Sequence, residues 1–101
     1  MSDRFTVMPI AEVDGYADAD RPMWRMIRSA FGIEAFGINA WTATADGQEV
    51  IGEHDEIGQG AGHHEELYVV LSGSATFTLD GEPVYAPAGT VVHVPQPSVR
   101  R

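Results

Sequence analysis

Two Asp-Gly steps divide this 101-residue chain into short runs of alternating polarity, and they constrain its fold more than any other feature. Asp46-Gly47 follows the run FGINAWTAT, and Asp80-Gly81 separates LYVVLSGSATFTL from EPVYAPAGTVVHVP. An Asp-Gly step between two such runs indicates a tight β-hairpin turn, because glycine readily adopts the positive φ that the turn requires. Several short strands punctuated by glycine and proline therefore predict a mainly β sandwich or barrel.

The first third of the chain has a different pattern. Four apolar residues of segment 21–32 recur at helical spacing: Met23, Trp24, Ile27 and Phe31. Pro22 suits a first helical turn, and Gly32 is suited to end the helix. Before this segment, the run FTVMPI is typical of a short strand. We therefore predict an N-terminal arm with a short helix over residues 1–33 and a β domain over residues 34–101.

Composition limits the classes of partner. Fifteen acidic residues stand against six arginines and no lysine, for a net charge of -9. Such a chain is unsuited to a nucleic-acid surface or an anionic membrane. The sequence shows no signal peptide and no apolar run of membrane-spanning length, so a cytoplasmic location is expected. Because there is no cysteine, any metal would have to be held by histidine, aspartate or glutamate.

One segment, 52–73, combines three of the four histidines with five carboxylates. Alternate residues of a strand share a face, so His64 and Glu66 are expected side by side. The same spacing relates His54 to Glu56, and a glycine-containing loop would let the two pairs meet. Two imidazoles and two carboxylates suit iron, manganese, zinc or nickel. The predicted metal ligands are His54, Glu56, His64 and Glu66.

Two motifs in the second half of the chain resemble those of the cupins. Glu66 stands seven residues before Gly73, as does the ligand glutamate of the first cupin motif, and Gly89 to Pro95 resembles the start of the second. The resemblance covers residues 34–101 and implies a cupin-like jelly-roll β-barrel, or double-stranded β-helix, with a pocket inside. Many cupins hold one divalent metal through three histidines and a glutamate. Some are dioxygenases, isomerases or decarboxylases, and others only bind ligands.

The histidines depart from the cupin pattern. The family's His-x-His pair should lie four or five residues before Glu66, where this chain has Gly-Ala-Gly at 60–62. Either the pair at 54 and 56 fills those positions across a longer loop, or the adjacent histidines 63 and 64 form a compressed substitute. We favour His54 with His64, because strand alternation would put His64 beside Glu66.

The second motif departs as well. The expected histidine is Arg100, whose guanidinium cannot ligate a metal but is suited to a carboxylate or phosphate. We therefore predict a small anionic ligand in the barrel pocket, with Tyr68, His93 and Arg100 as ligand-binding residues. The chain stops within this second motif, which predicts an incomplete barrel that either a partner subunit or missing residues would close. We expect a homodimer.

Three functions are compatible with these features. The preferred one is a cupin-like domain that binds a small anionic molecule and contains a divalent metal site. The first alternative is a metal-dependent cupin enzyme of the dioxygenase, isomerase or decarboxylase type. The second is a non-catalytic dimerisation or interaction module, in which the acidic loop is a solvated surface.

Overall fold

The computed structural model describes residues 4–18, 20–58 and 62–101, and the chain divides into two compact units. Unit 1 is Met1–Ile51 and unit 2 is Gly52–Arg101. The described residues are mainly β, with short strands, one 3-10 turn and one short helix. The division after Ile51 comes later in the chain than the predicted boundary at residue 33.

Unit 1 contains a three-stranded antiparallel sheet. Its strands are β1 (Gly15–Tyr16), β2 (Met23–Arg25) and β3 (Ala40–Thr42), in the order β1-β2-β3. A 3-10 turn over Ile10–Glu12 precedes the sheet, and helix α1 (Ile27–Phe31) follows β2. Because β3 pairs with β2, the residues after the helix belong with the N-terminal unit.

The helix is shorter than its apolar period predicts. Residues 23–25 form strand β2 instead, and Trp24 is paired in register with Trp41 of β3. Cross-strand pairing of two aromatic residues can override a helical pattern that covers only three turns. The predicted end is confirmed, since Gly32 caps α1 with a left-handed φ of 64°. The predicted strand in FTVMPI is wrong, because residues 5–9 are irregular.

Unit 2 contains four strands in two antiparallel pairs. The strands are β4 (Glu66–Val69), β5 (Ser74–Leu79), β6 (Glu82–Pro87) and β7 (Val91–Val94). Strand β4 pairs with β7, and β5 pairs with β6. The β5–β6 hairpin closes at Asp80-Gly81, where φ is 49° at the aspartate and 82° at the glycine. Two consecutive positive φ values are typical of a type I′ turn, so the predicted hairpin is confirmed.

The core of unit 2 lies between the inner faces of these two pairs. Alternate residues on each strand point inward, as the pleat requires. The ring of Tyr68 packs edge to face against Phe77, with 5.4 Å between ring centroids. The buried centre and the residues packed on it are Ala86, Val92, Val94, Tyr68, Val70, Phe77, Leu79 and Val99. Strand β4 therefore carries core residues immediately beside Glu66.

The mainly β prediction is confirmed at the level of secondary structure. Within the part of the chain that the structure describes, the strands of unit 2 form separate two-stranded sheets and no closed barrel. The jelly-roll barrel consequently stays a prediction. None of the helices in the described ranges has the length and apolar character needed to cross a membrane.

Candidate metal centre

The loop that carries His54 is held by main-chain hydrogen bonds to the C-terminal segment. The N–H of His54 donates to the carbonyl of Arg101 at 2.6 Å, and the N–H of Arg101 donates back to His54 at 2.8 Å. Two residues further on, the N–H of Glu56 donates to the carbonyl of Pro97 at 2.9 Å. These bonds satisfy polar backbone groups and fix the path of the loop, although residues 53–56 form no regular strand.

Three predicted ligands come together at one place. His54, Glu56 and Glu66 each offer a ligand atom, and these atoms lie within 4.8 Å of one another. His54 Nε2 is 3.4 Å from Glu66 Oε1 and 4.0 Å from Glu56 Oε1. A metal about 2.0 to 2.2 Å from each atom would need separations of no more than about 4.4 Å. Small side-chain movements would therefore be enough for this group to hold a metal ion.

The tautomer of His54 follows from its other ring nitrogen. Nδ1 lies 2.8 Å from the carbonyl oxygen of Gly52. A carbonyl oxygen only accepts hydrogen bonds, so Nδ1 carries the hydrogen. In the neutral ring, the lone pair is then on Nε2, the atom that faces Glu56 and Glu66. A hydrogen bond from one ring nitrogen to a backbone carbonyl is also the usual way in which proteins orient a metal-ligating histidine.

Glu66 is the carboxylate of the site that accepts two side-chain hydrogen bonds. Its Oε1 accepts hydrogen bonds from the Tyr68 hydroxyl at 2.8 Å and from Arg101 Nη1 at 2.7 Å. Partial burial raises the pKa of Glu66, but these bonds and the charges of Arg101 and His54 outweigh it, so the pKa is lowered overall. Burial, reinforced by the bond to Glu66, raises the pKa of Tyr68. The pair is therefore an ionised carboxylate beside a neutral phenol.

Arg101 forms an ion pair with Glu66 and is itself buried. Its side chain is only 2% exposed. Apart from Glu66, its guanidinium donates to the carbonyl oxygens of Gln96, Pro97 and Val99 at 2.8 to 3.1 Å. A buried charge needs both a counter-ion and hydrogen bonds, and Arg101 has both.

Sequence reasoning missed Arg101 and selected its neighbour. Consecutive residues of an extended segment point to opposite sides, so of two adjacent arginines only one would face inward. That alternation was a usable signal, but the cupin spacing pointed to Arg100. The structure places the Arg100 side chain at the surface, half-exposed.

Arg100 forms ion pairs with the two acidic residues that flank His54. Its Nε donates to Glu53 Oε1 at 3.1 Å, and its Nη1 lies 3.5 Å from Asp55 Oδ2. The bond to Glu53 raises the pKa of Arg100 further. The pKa of Asp55 is lowered, chiefly by a hydrogen bond from the backbone N–H of Ile57. The guanidinium of Arg100, a predicted ligand-binding residue, is thus already ion-paired with two carboxylates of the chain.

His64 and His93 are not part of the group. His64 is exposed, and a side chain on Gly62 would overlap its imidazole. Strand β4 begins only at Glu66, so strand alternation does not extend back to His64. The preceding residues 59–61 lie outside the described ranges. The structure thus brings together three of the four predicted metal ligands.

His93 lies on the opposite face of the β4–β7 pair from Glu66. It is paired in register with Leu67, whereas Glu66 is paired with Val94. Directly paired residues of antiparallel strands share a face, and Val94 is in the core. His93 Nε2 instead contacts Glu65 Oε1 at 2.8 Å on the outer face. Of the three predicted ligand-binding residues, only Tyr68 contacts the metal group, through Glu66.

Comparisons of this chain with protein-family models, with curated proteins and with solved structures found no match.

Proposed function

We propose that unit 2 binds a divalent metal ion through His54, Glu56 and Glu66. One observation carries the proposal: the ligand atoms of His54, Glu56 and Glu66 lie within 4.8 Å of one another, and His54 Nε2 is 3.4 and 4.0 Å from the two carboxylates. A lone pair facing two negative charges is repelled unless a positive charge lies between them. That charge is either a proton on Nε2 or a metal, and the hydrogen bond at Nδ1 is compatible with both. We propose the metal, because two carboxylates and one imidazole form a suitable set of ligands.

The ligand set narrows the choice of metal. One imidazole and two carboxylates form a mixed nitrogen and oxygen site without thiolate, and three protein ligands leave further positions open. Imidazole suits iron, zinc and nickel and carboxylate suits manganese, so all four metals are candidates. Tyr68 and Arg101 both donate to Oε1 of Glu66 and would orient this carboxylate for a metal.

We also propose a small anionic molecule as the second ligand, and the local charge makes its binding depend on the metal. Glu53, Asp55, Glu56 and Glu66 are close to Arg100 and Arg101, which leaves two uncompensated negative charges when His54 is neutral. This surplus repels an anion. A divalent cation cancels it and offers open positions to a carboxylate. Anion binding by unit 2 is therefore expected to depend on the metal.

The resemblance to cupins supports the same site. Glu66 has the family's spacing to Gly73, and it belongs to the group that could hold a metal. We therefore propose a cupin-like jelly-roll relationship for unit 2. Open metal positions would also suit a dioxygenase, isomerase or decarboxylase, and chemical turnover of the bound molecule is the observation that would favour such an enzyme.

Metal titration tests the proposal. Protein stripped with a chelator is titrated calorimetrically with Mn²⁺, then with Zn²⁺ and Ni²⁺, and anaerobically with Fe²⁺. We expect one site per chain. His54→Ala and Glu66→Gln should each weaken binding by more than the roughly 10- to 100-fold that the loss of an outer-shell partner costs.

His93→Ala is the matched control, because this histidine also contacts a carboxylate but lies on the other face. It should leave the metal affinity unchanged, and His64→Ala shows whether a fourth ligand takes part. Equal weakening in His54→Ala and His93→Ala would mean adventitious surface binding and would refute the proposal. Thermal shifts with small carboxylates, with and without Mn²⁺, test the second ligand, and an equal shift without the metal would contradict its dependence on metal.

A second role, self-association, is supported by the outer face of the β4–β7 pair. Leu67, Val69 and Val91 are each more than half exposed there. The outer face of β5 is a solvated surface by contrast, with Ser74, Thr76 and Thr78. Tyr85 is also exposed on the β5–β6 pair, but the outer face of β4 and β7 has three adjacent exposed aliphatic residues, and such a patch is suited to an interaction surface. We propose a second copy of the chain as the partner.

A further inference from the structure

We infer that Arg100 is a positioning residue for the metal centre, acting as a clamp on the loop that carries His54 and Glu56. The inference rests on the proposed metal function and adds a residue that cannot itself bind a metal. Arg100 touches neither His54 nor Glu66 through its side chain. It acts through Glu53 and Asp55, the residues on either side of His54.

Arg100 contacts the ligand loop through its side chain and the β5–β6 turn through its backbone. The fork of the guanidinium reaches Glu53 through Nε and Asp55 through Nη1, so a single rigid group bridges both neighbours of His54. The backbone of Arg100 is anchored in turn to Asp80, in the β5–β6 turn. Its N–H donates to Asp80 Oδ1 at 2.7 Å, and its carbonyl accepts from the Asp80 N–H at 2.7 Å.

The anchor gives the clamp a rigid base. Asp80 lies between β5 and β6, whose strands pair in register over their whole length. The ligand loop has no regular secondary structure of its own, so its conformation depends on the contacts that other segments supply. Arg100 thus links the irregular loop to the most regular element of unit 2.

Removal of the Arg100 side chain has two effects on the affinity for a metal ion, and they have opposite signs. Loss of a nearby positive charge makes the site more negative, which by itself would strengthen the binding of a cation. Loss of the clamp leaves the loop held by its main-chain hydrogen bonds alone. The metal must then restrict the added motion of His54 and Glu56 at an entropic cost, which weakens binding. The positioning role predicts that the second effect dominates. The sign of the change in affinity therefore distinguishes a clamp from a mere neighbouring charge.

The experiment compares Mn²⁺ affinity in the full chain and in three variants. Arg100→Ala should weaken binding about 10-fold, the lower end of the range for an outer-shell partner of a metal ligand. Arg100→Lys should be intermediate, because it keeps the charge but cannot bridge two carboxylates with a rigid fork. Arg21→Ala is the matched control, since Arg21 is an exposed arginine that is ion-paired to Asp18, and it should bind Mn²⁺ as the natural chain does.

Amide hydrogen exchange of the metal-free chain provides a readout that does not require metal. In Arg100→Ala we expect faster exchange at His54 and Glu56, whose N–H groups bond to the C-terminal segment, and unchanged exchange within β5 and β6. Unchanged protection of the hairpin also shows that the variant is folded.

The outcomes separate this inference from the proposed function. If the natural chain binds Mn²⁺ and Arg100→Ala binds it equally well or more tightly, the positioning role is refuted and the metal site stands. If the natural chain binds no metal, both the metal site and the positioning role are refuted, and the exchange data then show only whether Arg100 holds the loop. Tenfold weakening together with faster exchange confined to the loop supports the inference.

Discussion

At the scale of single residues, the site depends on one partly buried carboxylate with several donors. Glu66 accepts hydrogen bonds from Tyr68 and Arg101, so two donors, one of them positively charged, stabilise its negative charge. Burial without these partners would favour the neutral acid. The lowered pKa of Glu66 shows that the partners outweigh burial.

This lowered pKa predicts an acid-labile contribution to stability in metal-free protein. The ordinary pKa is 4.5 and the pKa in the folded chain lies below it. The contribution of Glu66 is therefore fully present above the ordinary value, and it is lost as the pH falls through the lower, folded value. We expect Glu66→Gln to reduce the unfolding free energy by about 1 to 3 kcal/mol near neutral pH, as for hydrogen bonds to a charged group.

Urea unfolding at about pH 6 and about pH 3, in the presence of a chelator, measures this difference. The gap between the natural chain and Glu66→Gln should narrow at the lower pH. Other carboxylates, among them Asp55 with its lowered pKa, also lose charge there, so the comparison with the variant is essential. A gap that does not change with pH would contradict the assignment to Glu66.

At the scale of elements, the β5–β6 hairpin is the part of unit 2 that local sequence specifies best. Its turn needs two residues with positive φ, and Asp80-Gly81 provides them. Aspartate tolerates this conformation and glycine adopts it freely. Because the turn also anchors Arg100, the hairpin supports the ligand loop as well as the core.

Gly81→Ala is expected to destabilise the hairpin by about 1 to 2 kcal/mol, the cost of a side chain in the left-handed region. The φ of Gly81 is 82°, and no atom within 4 Å would obstruct the new methyl group, so backbone strain is the sole term. Gly81→Asn should lose less, since asparagine tolerates positive φ. Unfolding free energies in urea give both values, and equal losses would point to a cause other than φ.

Other elements show where local patterns are insufficient. Asp46-Gly47 forms a turn in which Gly47 has a φ of 76°, but the predicted hairpin is wrong, because no strand follows the turn in residues 48–58. The start of α1 was not predictable, because Trp24 pairs with Trp41, a residue seventeen positions later. The prediction that His64 lies beside Glu66 assumed a strand that includes both residues. Strand β4 begins only at Glu66, two residues after His64. Strand limits depend on partners that a local pattern does not contain.

At the scale of the whole chain, the exposed apolar face of β4 and β7 raises the question of self-association. Leu67 is 64% exposed, and the Glu65–His93 pair beside it carries opposite charges when the histidine is protonated. The aliphatic side chains of this face are uncharged, so they add nothing to the repulsion between two copies of a chain with a net charge of -9.

We therefore expect a dimer at tens of micromolar that Leu67→Glu converts to a monomer, because the new carboxylate would be buried against its symmetry mate. Sedimentation velocity measures the change. Thr76→Glu adds the same charge to the outer face of β5 and should leave the dimer intact. A monomeric natural chain, or equal dissociation by both variants, would rule out this face as the interface.

Local chemistry alone was enough to identify the mainly β character, the hairpin turn at Asp80-Gly81, the end of the helix, and His54, Glu56 and Glu66 as candidate ligands, since each depends on residue type and short spacing. Tertiary structure decided which of these residues meet. It joined the loop at His54 to the C-terminal segment, turned Arg101 rather than Arg100 inward, and left His64 and His93 outside the metal group. These outcomes depend on hydrogen bonds and ion pairs between residues up to 47 positions apart, which no local periodicity encodes.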